Sequence, residues 1–285
     1  APNATDIFLI GNFSEWKENT KYRFSKLKNG VWELKLKTGE IKHLDLYKLS
    51  MHWNGGHGER IPAWATRVVQ DEKTYIFSAQ VWSPSRPYKF KKKKFKPQIS
   101  PLLIYECHIG MAQEEERIGS YNEFREKILP RIAKDGYNAI QIMAIQEHPY
   151  YGSFGYHVSS FFAPSSRFGT PDELKQLIDE AHASGIAVIM DIVHSHAVKN
   201  EVEGLGRFDG SYNQFFYGDH RREHPAWDSL CFDYGKNEVI HFLLSNCKYW
   251  LEEFKFDGFR FDGVTSMLYY DHGLGKAFEI GRAHV

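Results

Sequence analysis

Thr170-Pro171-Asp172-Glu173-Leu174-Lys175-Gln176-Leu177-Ile178-Asp179-Glu180-Ala181-His182-Ala183-Ser184-Gly185-Ile186-Ala187-Val188-Ile189-Met190 spells out a helix followed by a strand. Threonine with glutamate three residues later is a capping box, and Pro171 takes the first helical position, where its missing N–H costs nothing. Leu174, Leu177, Ile178 and Ala181 then fall at i, i+3, i+4 and i+7, one face of a helix. Gly185 closes it, and Ile186 to Met190 is an apolar run that reads as a strand buried on both faces.

The same rhythm extends both ways. Upstream, Leu102 to Tyr105 is an apolar strand. Ser120 and Glu123 form another capping box, Phe124, Ile128 and Ile132 follow at helical spacing as far as Gly136, and Ala139 to Ile142 is the next strand. Downstream, Asn237 is expected to cap a third helix with Ile240, Leu243, Leu244, Cys247, Leu251 and Phe254 as its buried face, and Phe256 to Phe261 is a fourth strand. Buried strands alternating with helices mean a parallel α/β sheet. Helix-to-strand passages are short, whereas about 27 residues follow Met143 and about 45 follow Asp191 before the next helix begins; loops of that length inside a domain are usually functional. They leave the carboxyl ends of the strands, where parallel barrels and open α/β sheets build their sites.

Residues 1–82 have a different texture. Ile7 to Ile10 is a short apolar run, Trp32, Leu34 and Leu36 alternate with charged residues, and Asn29-Gly30 between them and Tyr22/Phe24 is a hairpin signal. With Val68-Val69 and Tyr75-Ile76-Phe77 these predict a small β-sandwich. Between Pro84 and Pro101 lie four prolines with Lys89, Lys91 to Lys94 and Lys96, and from Lys73 to Tyr105 there is no acidic residue. The ordinary reading is a solvated linker over residues 83–101, stiffened by proline, with a nucleic-acid patch as the lesser alternative.

Composition narrows the classes. Hydrophobic residues at 42% and charged residues at 25% exclude wholesale disorder. Lys plus Arg and Asp plus Glu are 36 each, so no global charge draws the chain to nucleic acid or an anionic membrane. No apolar run is long enough to span a bilayer, and Ala1 to Asp6 is no signal peptide. Cys107, Cys231 and Cys247 form neither a disulfide framework nor a zinc knuckle, which suits a reducing compartment. Seven Trp, 16 Tyr and 21 Phe exceed what a core alone usually needs, so flat ligands such as sugar rings compete with a large core as the explanation.

The strand ends carry the chemistry. In Gly258-Phe259-Arg260-Phe261-Asp262-Gly263, Arg260 and Asp262 are two apart and share a strand face. A guanidinium holds a neighbouring carboxylate ionised, leaving a nucleophile, a metal ligand or simply a structural ion pair. Asp191-Ile192-Val193-His194-Ser195-His196 offers two histidines that either chelate a metal or meet ligand hydroxyls. His220 and His224, flanking Arg221 and Arg222, read as solvated. Glu147 to Tyr156 places aromatics among glycines, which suits stacking on a ring-shaped ligand.

Together these segments resemble the α-amylase superfamily of glycoside hydrolases and transglycosylases and, within it, the 1,4-α-glucan branching enzymes. Asp191 to Ala197 resembles the superfamily's first signature in its Val-His-Ser-His-Ala branching form, and Gly258 to Met267 its second. Tyr105 to Met111 is similar to the first barrel strand, and Gly11 to Trp16 with Ile61 to Trp64 to the preceding carbohydrate-binding sandwich. The resemblance implies an α/β chain: an N-terminal immunoglobulin-like β-sandwich over residues 1–82, then the first half of a (β/α)8 TIM barrel over residues 102–278. It implies Asp262 as catalytic nucleophile, and Tyr156, Asp191, His196 and Arg260 as substrate-binding residues, with Trp16 and Trp53 as candidate glucan contacts in the sandwich. The substrate would be an α-1,4-glucan such as glycogen, amylose or amylopectin, with no metal, no cofactor, no nucleic acid and no membrane required, in the cytoplasm or, in a plant or alga, a plastid.

Departures from the pattern matter too. The superfamily's acid/base glutamate and third aspartate sit on later strands, so the chain reads as a fragment that would be inactive alone. Glu279 to Val285, EIGRAHV, leaves the pattern and resembles a translated sequencing adapter. Another α-amylase-superfamily hydrolase, a metal-dependent hydrolase using His194 and His196, and a non-catalytic glucan-binding protein stand as rival readings.

Overall fold

The computed structural model describes residues 1–92, 94–97, 101–274 and 280. β1 (Ala4–Gly11), β2 (Leu46–Trp53), β3 (Gly56–Arg60), β4 (Val68–Gln70) and β5 (Phe77–Gln80) make an antiparallel sheet. β2 is its spine, with β1 along one side, β3 and β5 along the other, and β4 beyond β5. The hairpin at Asn29-Gly30 forms, both residues taking positive φ, and pairs Ser25–Lys26 with Trp32–Glu33. The alternating run stops being a strand at Glu33, and Tyr75 and Ile76 are exposed in the turn before β5, not strand residues.

The second half supplies β6 (Ile104–Cys107), β7 (Ala139–Ile142), β8 (Ala187–Ile192) and β9 (Gly258–Phe261), all parallel. Their order across the sheet is their order in the chain. Each strand joins beside its predecessor, as in a barrel wall; an open doubly wound sheet reverses direction partway. The register sets Ile104 beside Ala139, Ala139 beside Ala187, and Asp191 beside Arg260.

The helices follow their caps. Both capping boxes are made, Ser120 with Glu123 and Thr170 with Glu173. α1 covers 121–134 with a π-helical stretch at Phe124–Ile128 directly before Pro130, whose missing N–H cannot continue the i to i−4 ladder. α2 (Pro171–Ala183) lays Leu174, Leu177, Ile178 and Ala181 on Ile140, Ile142, Val188 and Met190. α3 (Asn237–Glu253) corrects two expectations. Lys236, not Asn237, is its N-cap, without a side-chain cap. Its buried face is Val239, Phe242, Leu243, Asn246 and Trp250, while Ile240, Leu244 and Leu251 are exposed. The phase is set by polar atoms: Asn246 Nδ2 and Trp250 Nε1 both donate to the buried Phe161 carbonyl, at 2.8 and 3.3 Å.

The two halves share a core. Ala4, Ile7 and Met51 belong to one cluster with Phe161, Phe208, Phe215 and Phe242. Asn3 donates its backbone N–H to Asp209, and Arg67 donates to the Gly169 carbonyl at 2.7 Å. Phe124, Phe161, Phe168, Phe216, Phe232, Phe242, Phe254, Tyr121 and Trp250 are all essentially inaccessible, so much of the aromatic excess is packing.

The proline- and lysine-rich segment is docked along α2. Asp179 of that helix accepts hydrogen bonds from Tyr88 Oη and the backbone N–H groups of Lys91 and Lys92, at 2.7, 2.7 and 2.9 Å. Phe95 stacks on His182, ring centres 4.2 Å apart. The expected change of pattern at Glu279 to Val285 lies outside the described residues except for Ile280. We predict that Asp179→Ala frees this segment: trypsin cleavage after Lys91, Lys92 and Lys94 should accelerate at least about tenfold, as loss of three hydrogen bonds worth about 1 kcal/mol each requires. Unchanged cleavage kinetics would show that the clamp does not hold it.

Candidate active site

Five side chains converge at the carboxyl ends of β7, β8 and β9. Asp191, wholly buried at the end of β8, accepts from Tyr156 Oη at 2.9 Å and takes Arg260 Nη1 on both oxygens, at 2.9 and 2.8 Å. The same Arg260 nitrogen donates to Asp262 Oδ1 at 2.7 Å. Asp262 follows β9, its backbone N–H bound to the Ile192 carbonyl, and its side chain is partly open to solvent. Among the described residues no donor reaches its Oδ2. The two carboxylates therefore differ: Asp191 has both oxygens engaged, and Asp262 keeps one for a ligand.

Backbone geometry delivers Tyr156. Phe154 turns left-handed, and Gly155 follows at φ 90°, so close to the Ala144 carbonyl that a Cβ would lie 1.9 Å from it. His196 Nε2 donates to the Tyr156 carbonyl at 2.8 Å, and its Nδ1 accepts from Ser195 Oγ at 2.9 Å. Burial pulls the His196 imidazole down to about 4, keeping it neutral. Burial, with Asp191 beside it, pushes the Tyr156 phenol up, and burial raises Asp191 against the opposing pull of Arg260 and Tyr156. Burial also opposes the Arg260 charge, but the hydrogen bonds and charges of Asp191 and Asp262 carry its pKa above the usual guanidinium value.

The structure separates the two histidines of the His-Ser-His stretch. His194 points into the core, its Nε2 donating to Asn246 Oδ1 at 2.9 Å, and burial lowers it to about 4. His196 faces the site with both nitrogens occupied. The pair does not converge as chelating ligands, and no group of three or more metal-ligating side chains occurs among the described residues. Glu147 is likewise internal, receiving Ser165, Ser166 and Arg167.

Sequence reasoning missed the partners across the cleft. His224, expected to be solvated, is buried and stacked flat on Trp227 with ring centres 3.8 Å apart, and its Nε2 meets Ser266 Oγ at 2.9 Å. Trp227 lies 5.1 Å from the His196 ring. A tryptophan inside a functional loop, in His224-Pro225-Ala226-Trp227, was the available signal. In the N-terminal sheet Trp16 is exposed, whereas Trp53 is covered by the Arg60 guanidinium and the backbone at Gly210.

Comparison with known proteins places the two halves of the chain beside two families. Residues 114–231 match the α-amylase catalytic-domain family, and residues 1–65 carbohydrate-binding module 48, the isoamylase N-terminal domain. The 1,4-alpha-glucan-branching enzyme of Yarrowia lipolytica is 49% identical over 99% of this chain and 42% of its own length. That of Equus caballus is 48% identical over 98% and 40%, and the chloroplastic/amyloplastic enzyme 2-2 of Arabidopsis thaliana 49% over 98% and 35%. The chain thus spans about two-fifths of the length of these relatives. Among solved structures, the GBS pullulanase SAP in complex with maltotetraose superposes with a TM-score of 0.74 at 21% identity, covering 92% of this chain and 39% of that one. The catalytic module of pneumococcal SpuA gives 0.73 at 18%, covering 92% and 43%. No described helix is long and apolar enough to cross a membrane.

A buried neutral imidazole has a pH signature. His196 binds its proton near pH 6.5 when unfolded but only near 4 when folded, so the unfolded state holds more protons between those values and stability falls as pH drops through that window. Urea denaturation at pH 6.5 and 4.5 should show the parent losing roughly 2 kcal/mol more than His196→Gln. Equal losses in the two proteins would mean that His196 is not held neutral.

Proposed function

We infer that the chain, a member of the α-amylase superfamily, is the part of a 1,4-α-glucan-branching enzyme that binds the donor glucan and supplies the nucleophile. One observation carries the assignment of roles: Arg260 Nη1 is shared between a fully engaged, buried Asp191 and an Asp262 with one open oxygen. Identity near one half with branching enzymes over almost the whole chain supports the reaction class.

In this reading the open oxygen of Asp262 attacks C1 of an α-1,4-linked glucose, and the bond from C1 to the glycosidic oxygen breaks. The leaving oxygen takes a proton from a glutamic acid that the superfamily resemblance puts on a later strand. A 6-hydroxyl of a second glucan chain then attacks C1, its proton passes to that glutamate, and the ester to Asp262 opens, giving an α-1,6 branch with retained configuration. Arg260 fixes both aspartates, Asp191 anchors Arg260 and the Tyr156 hydroxyl from below, Tyr156 meets the sugar ring at the cleavage point, and neutral His196 holds the Tyr156 backbone. Residues 1–82 would form a glucan-binding module with Trp16 as its exposed platform, 83–101 the connection, and 102–278 the catalytic part. The reading accords with a cytoplasmic or plastid enzyme.

What Asp257 touches supports Asp262 over it as the nucleophile. Asp257 binds His182 Nε2 and the Val188 N–H at the far end of β9. The test joins this chain to the remaining length of the Yarrowia lipolytica relative and follows amylose by iodine colour and α-1,6 linkage count. Asp262→Asn should lose at least about 10³-fold in activity, as removal of a covalent nucleophile does, with Asp257→Asn retaining turnover. Near-normal branching by Asp262→Asn would overturn the nucleophile. New reducing ends without α-1,6 linkages from the parent would replace branching by hydrolysis.

A further inference from the structure

The docked segment over residues 84–97 carries charge that the glucan chemistry does not use. Its aromatic residues face inward: Tyr88 binds Asp179, Phe90 packs on the core, and Phe95 stacks on His182. Lys89, Lys91, Lys92, Lys94 and Lys96 are left exposed, and none forms an ion pair among the described residues. The nearby acids are already committed. Asp179 accepts three hydrogen bonds from the segment, Asp172 accepts the Tyr88 N–H, Asp257 holds His182, Glu253 holds Lys175, and Glu180 pairs with Arg125. A chain with balanced charge thus displays a narrow strip of uncompensated ammonium groups, held on a folded surface instead of on a loose tether.

We propose that this strip is a docking site for an extended acidic segment of another protein. Single-stranded nucleic acid is recognised by basic grooves with aromatic platforms for its bases, and here every described aromatic of the strip is turned inward. A membrane presents a broad anionic plane, which would also meet Glu180 and Glu126, both bound to Arg125 beside the strip and substantially exposed. An extended peptide is narrow enough to avoid them. The strip lies by Asp257 and the start of β8, at the opposite end of the sheet from Asp262, so an occupied strip leaves the cleft open.

The test is fluorescence anisotropy of the chain with a fluorescein-labelled dodecamer of glutamate, and it needs no enzymatic activity. Binding should weaken at least tenfold between 50 and 300 mM salt, and at least tenfold at low salt in K89Q/K91Q/K94Q/K96Q, with the melting curve unchanged because only exposed side chains differ. K28Q/K35Q/K37Q/K42Q, which removes the same charge from the exposed N-terminal surface, should bind within twofold of the parent, and K89R/K91R/K94R/K96R should too. Equal affinity in the glutamine strip variant, an equal loss in the N-terminal variant, or tighter binding of a dodecathymidylate or of phosphatidylserine vesicles than of the peptide would each overturn the proposal.

Discussion

Asp191 is a carboxylate with no exposed surface, and everything at the carboxyl end of the sheet is arranged to make that tolerable. A charge removed from water must be paired and hydrogen-bonded, or its burial costs several kcal/mol. The parallel register of β8 and β9 answers this by setting Arg260 directly beside it. One guanidinium nitrogen then serves both oxygens of Asp191 and still reaches Asp262 two residues further on. The position of the open carboxylate is therefore a by-product of neutralising the buried one. A register slip by one residue would turn Arg260 to the opposite face and separate all three groups.

Beneath this charged layer a neutral polar layer fixes the loops. Gln146 donates to the Phe161 carbonyl and to Asn246 Oδ1, its own Oε1 receives the Val193 N–H, and His194 completes the set through Asn246. Four segments that are distant in sequence meet there: the exits of β7 and β8, the stretch at Phe161, and α3. Buried polar groups of this kind demand full satisfaction, which specifies one arrangement where apolar packing would accept several. It also explains the division of labour in His194-Ser195-His196. The first imidazole is spent on holding the core together, and only the second is available at the surface of the cleft.

How much of this was legible follows from which forces write themselves locally. The capping boxes at Ser120 and Thr170, the strand at Ala139 to Ile142 and the Asn29-Gly30 turn depend on neighbours within a few residues, and the structure keeps them. Of the five side chains proposed for the site, Arg260 and Asp262 share a face by their spacing on a strand, whereas Tyr156, Asp191 and His196 were named through the family resemblance of their motifs. The phase of α3 was misread because counting apolar residues favours Ile240, Leu244 and Leu251, whereas the helix is turned by Asn246 and Trp250 reaching a carbonyl more than eighty residues away. His224 was misread for a similar reason. Its burial depends on Trp227, the one signal close by in sequence, and on Ser266, a residue on the far side of β9 that nothing near His224 announces.

The lysine-rich segment shows the same limit from the other side. Charge and proline content predict solvation, and the lysine side chains are indeed solvated, but the backbone is not free. What holds it is one residue of α2, since Asp179 sits where a phenol and two consecutive amides can all reach its carboxylate. Three hydrogen bonds to one ionised acceptor are individually stronger than neutral ones. They hold the carboxyl below its usual range even though burial pushes the other way. An acidic residue in the middle of a helix, unremarkable by pattern, thereby anchors the run from Tyr88 to Lys92. Buried acids at both ends of the sheet do the same kind of work, Asp191 by ordering the groups of the cleft and Asp179 by ordering the chain that passes beneath it.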